Sequence, residues 1–149
     1  MSNKYLRIDD KRLDFQQVKD LLNNKQQLAV TKDAEEKIVK CREYLNKKIS
    51  NTDELFYGIN TGFGFFQDVK INKTQLEELQ SNLLKSHACG IGEEVPADIV
   101  KLMMMLKIKS LSYGYSGVSI EIVKRLTDMY NNDVLPVIYT QGSLGASGD

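Results

Sequence analysis

Apolar positions recur at helical spacing through most of the chain. Asp14, with Gln17 three positions on, has the form of a helix N-cap, and Phe15, Val18, Leu21 and Leu22 follow as a stripe that Asn23-Asn24 terminates. Asp33-Ala34-Glu35-Glu36 has the form of a capping box opening a longer helix. Ile38, Cys41, Leu45 and Ile49 line its apolar face, and Glu35, Lys37, Lys40 and Glu43 occupy the others. Thr74, with Glu77, starts a third helix whose face carries Leu76, Leu79, Leu83 and Leu84. Pro96 stands in the first turn of a fourth, ahead of Ile99, Leu102, Met103, Leu106 and Ser110. Ser119 caps a fifth bearing Ile122, Leu126 and Met129, which ends near Asn131-Asn132. Alternation at strand spacing is brief, over Lys4–Ile8 and again at Leu28-Ala29-Val30, and predicts two short paired strands. The expected fold class is therefore mainly α: one helical domain over residues 1–149, with at most a small two-stranded β element near the N-terminus.

Composition narrows the function classes. Lys plus Arg number 20 and Asp plus Glu number 20, so no net basic field exists to recruit nucleic acid or an anionic membrane. No apolar run approaches the ~20 residues that span a bilayer, and the charged first ten residues lack a signal-peptide core. Cys41 and Cys89 have no paired spacing and read as reduced packing thiols. These features predict a cytoplasmic chain. The methionines at 103–105 read as helix packing, and a metal site is not expected, because His87 is the only histidine and no ligand cluster has metal spacing.

Two glycine-rich stretches interrupt the helical pattern. Tyr57-Gly58-Ile59-Asn60-Thr61-Gly62-Phe63-Gly64 has the glycines of a phosphate cradle, but no Gly-Lys-Ser/Thr follows and no clear strand precedes it. A tight turn packed by aromatics remains open on local composition. Gly142-Ser143-Leu144-Gly145-Ala146-Ser147-Gly148-Asp149 fits either a frayed tail or a backbone that must bend sharply. Chemically, a compressed Ala146-Ser147-Gly148 lets the Gly148 amide nitrogen attack the Ala146 carbonyl carbon and close a five-membered ring. Loss of water, the Ser147 hydroxyl included, then yields 4-methylideneimidazol-5-one (MIO), an electrophile made from the chain itself. His87 shares a helix face with Leu76, Leu79 and Leu83, which points it inward or to an interface.

The octet ending in Ala146-Ser147-Gly148-Asp149 resembles the electrophile-forming motif of the aromatic amino acid ammonia-lyases. The Tyr57–Gly64 stretch matches their tyrosine loop at every fixed position, and Asn82–Gly92 resembles their substrate side-chain segment. Gly114-Tyr115-Ser116-Gly117-Val118 and Val134-Leu135-Pro136-Val137 extend the resemblance from roughly residue 5 to residue 149. By that resemblance, Tyr57, Ala146, Ser147 and Gly148 are catalytic, with Tyr57 in proton transfer. Ser86, His87, Asn60 and Gly64 contact the substrate, and no external cofactor is needed beyond MIO. Ser86-His87 looks like the histidine-specific branch, which implies ammonia elimination from L-histidine to trans-urocanate. A tyrosine- or phenylalanine-directed lyase or aminomutase is the alternative within the family, and a non-catalytic helical interaction module the alternative outside it. Family members are longer and build each active site from several subunits of a homotetramer. The expectation is that this chain is an N-terminal fragment, inactive by itself and with the tripeptide uncyclised.

A free tyrosine titrates near ~10, so a base ionised at neutral pH needs a shift of ~3 units, roughly 4 kcal/mol. Tyr57 would have to obtain that from a closed, preorganised site.

Overall fold

The first helix forms where its cap predicts. In the computed structural model, which describes residues 5–23, 25–50, 54–62, 71 and 76–142, α1 spans Phe15–Asn23. The Gln17 amide N–H donates to Asp14 Oδ1 at 2.8 Å, and the Asp14 N–H donates back to Gln17 Oε1 at 3.0 Å. This reciprocal pair satisfies two of the donors that a helix start leaves open. The stripe itself is narrower than expected: Leu21 is buried, while Phe15 is 94% exposed.

The chain divides into two units, Met1–Lys48 with Val95–Ile138, and Ile49–Glu94 with Tyr139–Asp149. In the first, β1 (Tyr5–Ile8) pairs with β2 (Gln27–Val30), with Leu6 opposite Leu28 and Ile8 opposite Val30. The predicted strand pair is thus present, and it is parallel because α1 carries the chain back between the strands. Next comes α2 (Lys32–Ser50), whose cap is Thr31, with Thr31 Oγ1 accepting the Ala34 N–H at 3.3 Å. The predicted Asp33 box gives way to this earlier start, and Asp33 instead pairs with Lys37 one turn on, at 2.9 Å. Its apolar face is the predicted one, with Ala34 and Ile38 buried and Cys41 and Leu45 half-buried.

Two further helices, α4 (Ala97–Ser112) and α5 (Ile120–Asn131), pack on each other and on the strands. Pro96 is the N-cap of α4, one position before the first turn where it was expected. The buried side of α4 carries Val100, Met104, Met105, Ile108 and Leu111, and not the predicted Ile99, Met103 and Leu106, which are exposed. With apolar residues on nearly every side of this helix, periodicity could not select the face. On α5, Val123, Thr127 and Tyr130 face the core, with Leu126 and Met129 half-buried and Ile122 exposed. Lys109 is buried, its Nζ donating to the carbonyls of Asp9 and, at 2.6 Å, Lys11. Backbone acceptors beside the Asp9 carboxylate at 3.7 Å make that burial tolerable, and they tie α4 to the loop after β1.

In the second unit, α3 (Leu76–His87) precedes β3 (Ile91–Glu94), which pairs antiparallel with β4 (Tyr139–Gln141). The fold is mainly α as expected, but this second ladder corrects the expectation of a single β element near the N-terminus. Ile91-Gly92-Glu93-Glu94 has no alternation to announce a strand, and its partner is remote in sequence. Gly92, at φ +93, sits where the register slips, and a Cβ there would stand 2.9 Å from Thr140 Oγ1.

Candidate active site

Tyr57 lies in a turn that its own neighbours brace. The Ile59 and Asn60 amides donate to the Phe56 carbonyl at 3.0 and 3.2 Å, and Gly58 takes up φ +72. Asn60 locks the turn from inside, Oδ1 accepting the Phe56 N–H at 2.7 Å and Nδ2 donating to the Glu54 carbonyl at 3.0 Å. Thr61, 1% exposed, accepts from the Gly58 N–H at 3.2 Å and donates to the Gly62 carbonyl at 2.9 Å. Tyr57 itself is 63% exposed. The geometry thus fixes the backbone beneath a ring that projects outward. Thr61, which the sequence reading did not single out, is as much a part of that brace as Asn60; its signal is a short hydroxyl next to glycine in a turn.

Ser86 and His87 end α3 in direct contact. Ser86 Oγ donates to the Leu83 carbonyl at 2.9 Å and lies 2.8 Å from His87 Nδ1, which is itself 2.8 Å from the Leu83 carbonyl. Both side chains are exposed, as is Leu84 at 73% on the same helix, while Leu79 and Leu83 are half-buried. Of the two directions expected of His87, inward or to an interface, the inward one is not realised among the described residues, where no side chain of α3 is buried.

The β3–β4 register links this helix end to the second glycine-rich stretch. Ile91 pairs with Gln141, so the chain arriving from His87 and the chain leaving toward Ala146 meet the ladder at the same end. Gly64 and the Ala146-Ser147-Gly148 tripeptide lie outside the described residues. Among the described residues, no three His, Cys, Asp or Glu side chains are grouped so as to hold a metal ion, and no described helix is long and apolar enough to cross a membrane.

Residues 13–149 match the aromatic amino acid lyase family. The chain belongs to that family. The chain is 42% identical over 144 residues to histidine ammonia-lyase from Staphylococcus aureus, an alignment covering 97% of this chain and 28% of that protein. Among solved structures, it is similar to the ergothioneine-degrading enzyme ergothionase from Treponema denticola (TM-score 0.86, 27% identity, 93% of this chain and 28% of that one). It is also similar to histidine ammonia-lyase from Trypanosoma cruzi (TM-score 0.79, 29% identity, 93% of this chain and 26% of that one). The chain thus spans little more than a quarter of each of these relatives. Tyr57, Asn60, Ser86 and His87, together with Gly64 and the tripeptide, all fall inside the matched segment.

Proposed function

We propose that the protein to which this lyase chain belongs eliminates ammonia from L-histidine to give trans-urocanate. The supporting observation is topological: Ile91, shortly after the Ser86-His87 helix end, pairs with Gln141, the residue before the Gly142 that opens the second glycine-rich stretch. The MIO group that the tripeptide would form supplies an electron sink for the departing amine. In the reaction the Cβ–H bond breaks with its proton passing to a base, and the Cα–N bond breaks with its electron pair leaving on nitrogen. Tyr57 Oη is the base contributed by this segment, and the Asn60 brace holds the backbone that aims it. His87 binds the substrate imidazole through a ring–ring hydrogen bond that a phenyl side chain has no group to return.

Tyr57 and His87 are both exposed in this chain, so the closed surroundings that the base requires must come from outside its described residues. Further segments of a longer, homotetrameric, cytoplasmic protein would supply them. Without those surroundings the 149-residue chain is inactive, because cyclisation of Ala146-Ser147-Gly148 needs a scaffold whose proximity advantage is worth ~7–11 kcal/mol. Intact mass tests this directly: the complete protein should be lighter than its sequence by two waters, and the 149-residue chain should not. Urocanate absorbance on adding L-histidine to the complete protein tests the reaction. Tyr57→Phe should lower kcat by roughly 10²–10⁴-fold. Full activity of Tyr57→Phe would remove that residue as the base, and turnover of L-tyrosine or L-phenylalanine in place of L-histidine would overturn the substrate.

A further inference from the structure

An aromatic ring lies against the chain just after α3. A Cβ on Gly90 would stand 2.9 Å from Tyr139 Cδ2, 3.4 Å from its Cβ and 3.6 Å from its Cγ, and these are the three nearest atoms. The root of that side chain, and not a flexible tip, fills the space. Gly90 takes no positive φ, unlike Gly92, so its backbone suits any residue and it is the ring that excludes a side chain. Tyr139 pairs with Glu94 in the β3–β4 register, yet it touches a residue four positions earlier. A bulged strand bends, and the slip at Gly92 brings the chain leaving α3 back to the ring. The connection has little slack. The Ala88 N–H donates to the Leu84 carbonyl at 3.0 Å, so the hydrogen bonding of α3 runs past His87, and Cys89 alone separates it from Gly90.

We propose that Tyr139 is a positioning residue whose ring, seated on Gly90, sets where His87 stands relative to the strand that leads in sequence to Ala146-Ser147-Gly148. The functional half of this inference rests on the roles proposed above for His87 and the tripeptide. β3 and β4 are only four and three residues long, and every one of those residues is exposed. Backbone bonds in so short and wet a ladder exchange readily with water, so pairing alone specifies the register weakly. The ring adds a steric stop. A slip of one residue would bring Cys89 or Ile91 beneath it, and each carries the Cβ that the space excludes. An aromatic laid on a glycine of the neighbouring strand thus pins a register that the glycine by itself would loosen. Fixing that register fixes the helix end one residue upstream of the contact.

In the 149-residue chain, nuclear Overhauser effects should link the Gly90 Hα protons to the Tyr139 ring and persist in Tyr139→Phe. Their absence from the unaltered chain overturns the contact. In the complete protein, Gly90→Ala should raise KM for L-histidine by about two- to tenfold, the worth of one ordinary hydrogen bond to the substrate, with kcat within about twofold. Tyr139→Phe, which keeps the ring, should match the unaltered protein. The signature is non-additivity. Once Tyr139→Ala has removed the ring, the nearest atom of that residue is its Cβ at 3.4 Å, an ordinary contact, so adding Gly90→Ala should move KM by less than about 1.5-fold. An equal rise in KM from Gly90→Ala in both backgrounds overturns the ring as the stop. A lowered thermal midpoint with KM unmoved overturns the positioning role and leaves Tyr139 a packing residue. If the Overhauser effects appear while the unaltered complete protein does not turn over L-histidine, the contact stands, and the proposed reaction falls together with the role built on it.

Discussion

Replacing Asn131 by alanine should release α5 from the small sheet. Its side chain acts as a one-residue substitute for a third strand: Oδ1 accepts the Leu28 N–H at 2.7 Å and Nδ2 donates to the Leu28 carbonyl at 3.0 Å. Leu28 is a core residue, and among the described residues β2 pairs with β1 alone, so these two peptide groups meet no further described strand. Two hydrogen bonds contribute about 0.5–1.5 kcal/mol each, and a half-buried amide left unpaired adds about 1 kcal/mol, so the substitution should cost about 2–4 kcal/mol. At ~2–4 °C per kcal/mol for a chain of this size, the midpoint should fall by roughly 5–15 °C. Urea and thermal unfolding followed by far-UV circular dichroism measure the free energy and the midpoint, and amide exchange at Leu28 localises the loss. Asn132→Ala is the internal control, because its Nδ2 donates only to the exposed Asp128 carbonyl one turn back. Asn131→Asp should cost nearly as much as alanine, since it keeps the acceptor and turns an oxygen on the Leu28 carbonyl. Equal losses for Asn131→Ala and Asn132→Ala, or a loss under about 0.5 kcal/mol for the former, would refute the bridge as a source of stability.

The α4 face is tested by a pair of truncations: Ile108→Ala, at a fully buried site, should cost about 2–5 kcal/mol, whereas Met103→Ala, at a 45% exposed one, should stay within about 0.5 kcal/mol. The reverse order would restore the face that periodicity suggested. Burial, aided by the Asp133 carboxylate, pushes the Tyr130 hydroxyl up from 10.0 to about 12. The folded chain therefore keeps a proton that the unfolded chain loses, so this contribution is complete below pH 10 and disappears as the pH climbs to about 12. Stability of the unaltered chain should fall by about 2–3 kcal/mol more than that of Tyr130→Phe across that window, and parallel pH profiles would refute the burial effect.

What the sequence disclosed was whatever a local pattern can encode. The Asp14/Gln17 cap formed as written, and Asn131-Asn132 closed α5, because a cap is a contract between residues three or four apart. The Tyr57 loop was recognisable from its glycines and its asparagine, and the structure supplies the reason Asn60 sits there: it spans Glu54 and Phe56. What escaped was set by distant partners. Thr31 displaced the Asp33 box because Thr31 is already pinned, its N–H donating to the Ile8 carbonyl at 3.0 Å as the strand ends. The buried Lys109 would have read as a solvated charge, since its acceptors lie about a hundred residues earlier in the chain. Periodicity on α4 was uninformative because both its candidate faces are apolar, and β3 was invisible because a glycine and two glutamates hide its pairing.

Among the described residues the two units are stabilised in different ways, and the residues proposed for the chemistry fall in the unit with fewer buried apolar side chains. Every buried hydrophobic side chain among the described residues, from Ile8 to Tyr130, belongs to the first unit; in the second, the one buried side chain that is described is the polar Thr61. The first unit therefore holds its shape by removing apolar area from water, and a core truncation there is a stability event. The described part of the second is instead held by polar pins: Asn60 across its turn, the Leu83–Ser86–His87 triangle, and a short ladder with a register slip. Each pin is worth only about 1 kcal/mol and is open to competition from water, which places these segments at the low end of local stability. Substitutions at Asn60 or Ser86 should accordingly alter where Tyr57 and His87 point well before they alter whether the chain folds. A stable, misaimed variant is the expected outcome there, and a globally unfolded one is the expected outcome at Ile108.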